Sequence, residues 1–321
     1  MNFNRLLIVH TVSFVFLSLL LPSKAFASHT IASSVFSKTG QVKHKALSEI
    51  SGLATSQRQP EVYWALNDGG NGRFLYALNT QGKVLTKVKI KGVKNRDWED
   101  LASFKLDDKP YLMIAEIGDN HAVYKHYRLH FIKEPKSKHF DGNKTLNLKP
   151  EWSIDFTYEN GARDSESAAV DIVNKRIILL SKRDKVPQLY HLPLLKNPTQ
   201  TSFIAKHLGE LEHSLKEKPE HIINLKHRKF NGNPTAMDIS ADSTMAAVLT
   251  YEHLFLFKRP ASATSYKGLF SRSPIKIKLP KLKQAEAVSF DKKGKTLLVT
   301  TEKLPAPLYK IKLKQLPAFN D

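Results

Sequence analysis

Three glutamates and two hydroxyl residues in this sequence share one local setting. It reads Ser51-Gly52-Leu53-Ala54, Glu99-Asp100-Leu101-Ala102, Glu166-Ser167-Ala168-Ala169, Thr235-Ala236-Met237-Asp238 and Glu286-Ala287-Val288-Ser289. Each begins with an oxygen-bearing side chain and passes at once into small and apolar residues. The five return at intervals of about 50 to 70 residues, and strand-like runs follow each, the mark of a repeat architecture. If the repeat brings them together, their chemistry is that of a hard cation. Glutamates held about 6 Å apart in an effective dielectric of ~20 repel by roughly 3 kcal/mol per pair. Protons or a cation must offset that. Carboxylates and hydroxyls without nitrogen or sulfur ligands suit Ca²⁺, which tolerates a flexible oxygen cage better than Mg²⁺ does. The metal ligands expected are therefore Ser51, Glu99, Glu166, Thr235 and Glu286. The competing expectation is that the glutamates stand apart and pair with lysine or arginine.

Other polar groups accompany the five. Arg96-Asp97 precedes Glu99, and Arg163-Asp164 precedes Glu166 at the same offset. Candidate loops add Asp68, Asn120, Lys182, Arg183 and Tyr251. Guanidinium beside a metal is what phosphate recognition needs: paired donors for oxygens and a cation to offset developing charge. Arg96, Arg163, Arg183, Lys182, Asn120 and Tyr251 are thus expected to bind substrate. Asp68, Asp97 or Asp164 could orient or deprotonate an attacking water. The alternative is that each Arg-Asp pair is a loop salt bridge that steadies the neighbouring glutamate.

The elements between these residues read as short strands. Residues 50–55, 62–66, 74–78 and 84–90 form a four-stranded meander, with turn signals at Asn67-Asp68-Gly69-Gly70 and Asn79-Thr80-Gln81-Gly82. The pattern recurs at 101–106, 111–117, 127–132 and 152–156. It recurs again at 168–173, 176–180, 188–192 and an outer strand near 221–225. A fourth set covers 236–239, 246–250, 253–257 and 275–279. A fifth has only 287–290, 296–299 and 308–313, and Val35 to Lys43 could supply its missing outer strand. Leu211 to Lys218 could form a short helix. The Lys-rich stretch 133–149 and the polar stretch 206–220 read as loops. The expected fold is all-β: a five-bladed β-propeller of four-stranded antiparallel blades, the N-terminal strand closing the last blade. A six-bladed ring, with a blade hidden at 133–150 or 200–220, is the alternative. In a propeller the first strand of each blade lines the channel, so the five repeat positions would converge at its mouth.

One resemblance is specific to these residues. The order Ser51–Glu99–Glu166–Thr235–Glu286, one residue per blade, resembles the secreted calcium-dependent apyrases. Those are five-bladed propellers whose central calcium is ringed by Ser and Glu in a similar order, and which hydrolyse nucleoside diphosphates. Thr235 departs from a serine but keeps the hydroxyl. The strings Asp97-Trp98-Glu99-Asp100-Leu101-Ala102 and Ile117-Gly118-Asp119-Asn120 also resemble exported bacterial propeller proteins. The resemblance implies Ca²⁺ and hydrolysis of phosphoanhydrides or phosphoesters. A non-catalytic propeller that binds a ligand or protein, with calcium as a structural rivet, is the second expectation. A two-carboxylate glycosidase is a third.

The rest of the chain narrows the setting. An apolar run ends near Leu21, and Ala25-Phe26-Ala27 offers a cleavage site, so residues 1–27 read as a signal peptide and 28–321 as one domain. Export to the periplasm or outside the cell follows, with no membrane span in the mature chain. The 321-residue chain has no cysteine, which excludes disulfides, thiolate metal sites and cysteine nucleophiles. The formal charge of +20 points to an anionic small molecule or cell-envelope component as partner. Nucleic acid is not expected, because no basic stripe interleaved with aromatics is present. A monomer is expected. No H-E-x-x-H, G-x-S-x-G or P-loop pattern occurs. Trp64, Trp98 and Trp152 read as packing residues, with Trp98 the one that could instead face the site.

Overall fold

The computed structural model describes residues 30–200, 202–211, 215, 232–260 and 266–319. The expected signal peptide and the expected strand at 221–225 lie outside them, as does the expected helix at 211–218 apart from Leu211 and Leu215. The first four-stranded unit is β2 (Ile50–Thr55), β3 (Val62–Asn67), β4 (Phe74–Asn79) and β5 (Val84–Ile90). The second is β6 (Trp98–Leu106), β7 (Lys109–Glu116), β8 (Tyr127–Lys133) and β10 (Trp152–Tyr158). The third is β11 (Ser165–Asp171), β12 (Arg176–Ser181), β13 (Gln188–Pro193) and β14 (Ser202–Glu210). The fourth is β15 (Pro234–Ile239), β16 (Met245–Thr250), β17 (His253–Lys258) and β18 (Ile275–Lys278). In the last, β19 (Ala285–Phe290), β20 (Thr296–Thr301) and β21 (Ala306–Lys312) are completed by β1 (Ser37–Val42), which pairs antiparallel to β21. The described residues thus form five such units.

Within each unit the strands run antiparallel, and the first strands meet in a ring. β2 packs on β6, β6 on β11, β11 on β15, β15 on β19 and β19 back on β2. This closed succession is a β-propeller. The first strands are buried along almost their whole length, as both faces of an inner strand must be. Apolar layers between neighbouring units form the core. One of them stacks Phe131 on Trp152 at 4.6 Å, with Tyr127, Phe156, Tyr158 and Tyr190 edge to face alongside. Trp64 and Trp98 are fully buried and Trp152 nearly so, so all three are packing residues.

Two strands depart from the sequence expectation. Residues 145–148, read as loop, form β9 (Thr145–Leu148), a fifth strand added parallel to β5 of the first unit. The third unit's outer strand is β14, much of which lies in a stretch read as loop. β14 is held on both edges, antiparallel to β13 and parallel to β10. Its side chains are mostly exposed, with Ala205 the buried exception, so ladder hydrogen bonds form it where an apolar pattern is missing. Both strands strap adjacent units together.

The channel is filled by side chains. Asp100 of β6 accepts hydrogen bonds from the Ala168 amide (2.9 Å) on β11 and the Met237 amide (3.2 Å) on β15. The second unit therefore reaches across the axis to the fourth. Asp238 accepts from Phe290 N (2.8 Å) and Ser289 Oγ (3.3 Å) on β19, and Thr55 N of β2 donates to the same Ser289 hydroxyl (3.0 Å). Burial pushes the Asp238 carboxyl up to about 7, and Asp100 well above the usual range, against their hydrogen bonds.

Candidate functional site

Every one of the five repeat residues occupies a β-bulge. Ile50 pairs with Asn67 and Gly52 with Leu66, which leaves Ser51 as the extra residue. The same shift isolates Glu99 between Trp98 and Asp100, and Glu166 between Ser165 and Ser167. It isolates Thr235 between Pro234 and Ala236, and Glu286 between Ala285 and Ala287. A bulge re-aims one side chain out of the strand's alternation. Repeated at the start of each first strand, it sets five such side chains around the mouth of the channel. A second ring lies above them: Asp68, Ile117, Lys182, Tyr251 and Glu302 each follow the last paired residue of the second strand.

The two rings divide into unlike halves. On one side the carboxylates of Asp68, Asp97 and Glu99 bring oxygens within 4.8 Å of one another. Among the described residues no lysine or arginine forms an ion pair with any of the three. Two glycines make room for them. A Cβ at Gly118 would press on the Glu99 and Asp97 carboxylates. A Cβ at Gly69 would press on the Asp97 carboxylate and stand 2.9 Å from the Arg96 carbonyl. Burial, then Glu166 and the two aspartates, push the Glu99 carboxyl well above its ordinary value. Burial lifts Asp68 to about 6, and burial with Asp68 and Asp164 nearby lifts Asp97 to about 6.

On the other side a cation is already in place. Buried Lys182 forms an ion pair with Glu166 and donates to the Tyr251 hydroxyl (3.1 Å), which in turn donates to Glu286 (3.1 Å). Burial opposes the charge on Lys182, yet Glu166, Tyr251 and Glu286 push the ammonium above the ordinary lysine value. Burial raises Glu166 to about 7 despite that partner. Burial, Glu166 and Glu302 raise Glu286 to about 9, which favours its neutral form.

The remaining expected residues fall in three places. The hydroxyls of Ser51 and Thr235 donate to the Trp98 (3.0 Å) and Ala285 (2.7 Å) carbonyls, each just before the next unit's ring residue. They lock neighbouring units at the mouth. Asn120, Arg163, Asp164 and Arg183 line one cavity of about 240 Å³ between the second and third units. There Asp164 accepts from the Asp119 amide (2.9 Å) and pairs with Arg183 (2.6 Å), and Arg163 pairs with Asp184 (2.6 Å). Arg96 stands outside this cavity; it donates to the His126 carbonyl (3.0 Å), covers the Tyr124 ring and lies 3.8 Å from Glu116. Sequence reasoning missed Gly69 and Gly118 as parts of the site. Both glycines read as turn residues, Gly118 also as part of a string; close approach of a carboxylate is a second reason for glycine at either.

All ligands the acidic half offers are carboxylate oxygens, which fits a hard cation and neither a soft nor an imidazole-seeking metal. The chain matches no protein-family model and no curated protein sequence. Among solved structures it is similar to the WD40 repeats of RRP9, with 10% identity over 88% of this chain and 99% of that one, and a TM-score of 0.46. It is also similar to the PQQ-bound aldose sugar dehydrogenase of Streptomyces coelicolor, with 9% identity over 86% of this chain and 97% of that one, and a TM-score of 0.48.

Proposed function

We propose that this is an exported, five-bladed propeller that binds one calcium ion at its mouth and hydrolyses a phosphoanhydride or phosphoester there. The observation that carries the reading is the trio Asp68, Asp97 and Glu99: three carboxylates within 4.8 Å of one another, with no ion pair to lysine or arginine among the described residues, in a space cleared by Gly69 and Gly118. Glu166 and Glu286 stand across the ring and Ser51 and Thr235 hold its seams. Bound calcium supplies neutralisation of phosphate oxygens. The cavity with Asn120, Arg163 and Arg183 opens beside the trio and offers amide and guanidinium donors for the same oxygens. Asp164 is the carboxylate shared between that cavity and the electrostatics of Asp97, which suits it to orient a water. Export rests on the leader at residues 1–27.

A second reading keeps the calcium and omits the chemistry. Arg163 and Arg183 are held by Asp184 and Asp164, which favours a rigid ligand-binding rim. Phosphate release from nucleoside diphosphates and from phytate, with calcium and with chelator, separates the two. Calcium-dependent release supports hydrolysis; no release from either substrate leaves the binding propeller.

A further inference from the structure

The end of the propeller opposite the mouth gathers positive charge around one cavity. Turns joining first to second strands, and the loop after β8, enclose a cavity of about 450 Å³ there. Arg58, Lys105, Lys136 and Lys138 line it against a single carboxylate, Asp108. None of these four cations forms an ion pair among the described residues. Elsewhere on the surface Arg128 pairs with Asp155, Lys196 with Asp107 (2.8 Å) and Lys206 with Glu159 (2.8 Å). Four unpaired cations around one concavity repel one another, and an anion relieves that repulsion.

The cavity is also braced from behind. The buried Glu134 carboxylate accepts from the Gln57 amide (3.0 Å), from Trp64 Nε1 (3.0 Å) and from the Ser56 hydroxyl. Its backbone carbonyl accepts from Arg58 Nε (2.8 Å). Gln59 Nε2 donates to Ser137 Oγ (2.5 Å), which ties the Arg58 turn to the turn that carries Lys136 and Lys138. Arg58 is thereby fixed through Nε alone, and its two terminal nitrogens make no hydrogen bond among the described residues. A fixed guanidinium with free paired donors, flanked by ammonium groups, is matched to phosphate oxygens.

We propose that this cavity binds phosphate groups, carried either by a soluble molecule or by an anionic surface, and that the propeller engages them with its mouth directed away. The site is separate from the calcium reading and needs no calcium. Titration of the mature protein with pyrophosphate in EGTA tests it by calorimetry, and co-sedimentation with phosphatidylglycerol vesicles, against phosphatidylcholine vesicles, tests the surface source. One variant combines Arg58→Gln, Lys136→Gln and Lys138→Gln. A control removes the same charge from β5 of the first unit and the residues flanking it, with Lys83→Gln, Lys89→Gln and Lys91→Gln. Melting temperatures check that both fold. The expected result is binding of pyrophosphate, of phosphatidylglycerol vesicles or of both, weakened at least tenfold in the cavity variant and less than threefold in the control. Binding of only one probe identifies the source. Equal weakening of the two variants, or no binding of either probe by the unaltered protein, overturns the proposal.

Discussion

Without a cation the mouth should make the protein less stable as pH rises. The carboxyls of Asp68 and Asp97 are pushed from 3.8 to about 6, and Glu166 from 4.5 to about 7. Ionising Asp68 or Glu166 in the fold then costs about 3 kcal/mol, at about 1.4 kcal/mol per tenfold, and ionising the more exposed Asp97 costs less because solvent screens it. The three share neighbours and do not add fully, so their joint cost is on the order of 5 kcal/mol. The sign follows from proton binding. Between pH 4 and 7 the folded protein holds protons that the unfolded chain has released, so stability contributed by these groups is present at low pH and lost as pH rises through 6 to 7. A little over half of that falls between pH 5 and pH 8, since the loss begins near the unfolded pKa of about 4, and for a domain of this size it is a fall of about 6 °C in melting temperature. Thermal melts in EGTA across that range measure it. Asp97→Asn removes one titrating group and relieves the other two, so its melting temperature should fall by several degrees less. Comparing the two proteins cancels the titration of everything else. Equal slopes in both would refute the electrostatic reasoning.

Two other substitutions probe the frame of the site. Gly118→Ala places a methyl against the Glu99 and Asp97 carboxylates and should weaken calcium binding about tenfold or more while changing the chelated protein's stability little; unchanged affinity by calorimetry would show that the trio is not the ligand set. Asp100→Ala leaves the Ala168 and Met237 amides without their acceptor across the axis and should cost roughly 2 to 5 kcal/mol in chemical denaturation. Asp100→Asn keeps one acceptor oxygen and should cost clearly less, and equal losses would count against the cross-axis bonds.

Most of the fold is legible as strands because the units bury alternating or continuous apolar runs between turn signals. The closing strand is legible because the fifth unit ends one strand short. β9 and β14 are not, since hydrogen bonding along their edges defines them and their side chains are mostly exposed or half-buried. The recurrence of Ser51, Glu99, Glu166, Thr235 and Glu286 marks the mouth because each occupies the same bulge. The bulge itself shows only in the pairing of two strands. The division of the mouth is hidden for a related reason. Lys182 is expected from the sequence to bind substrate, and its ion pair with Glu166, set by its place one residue past β12, is not readable there. Asp68 and Asp97 are expected from the sequence to handle water, and their gathering with Glu99, for which Gly69 and Gly118 make room, is not readable there. Such proximity between loops of different units leaves no spacing to read.

The central claim is that Asp68, Asp97 and Glu99 hold a calcium ion. Calorimetric titration of calcium into chelator-stripped protein spanning residues 28–321 tests it, with Asp97→Asn and Lys303→Gln alongside. One calcium should bind per chain, at least thirtyfold more weakly in Asp97→Asn and with little change in Lys303→Gln, whose ammonium pairs with Glu302 at the rim. No binding by the unaltered protein, or undiminished binding by Asp97→Asn, would contradict it.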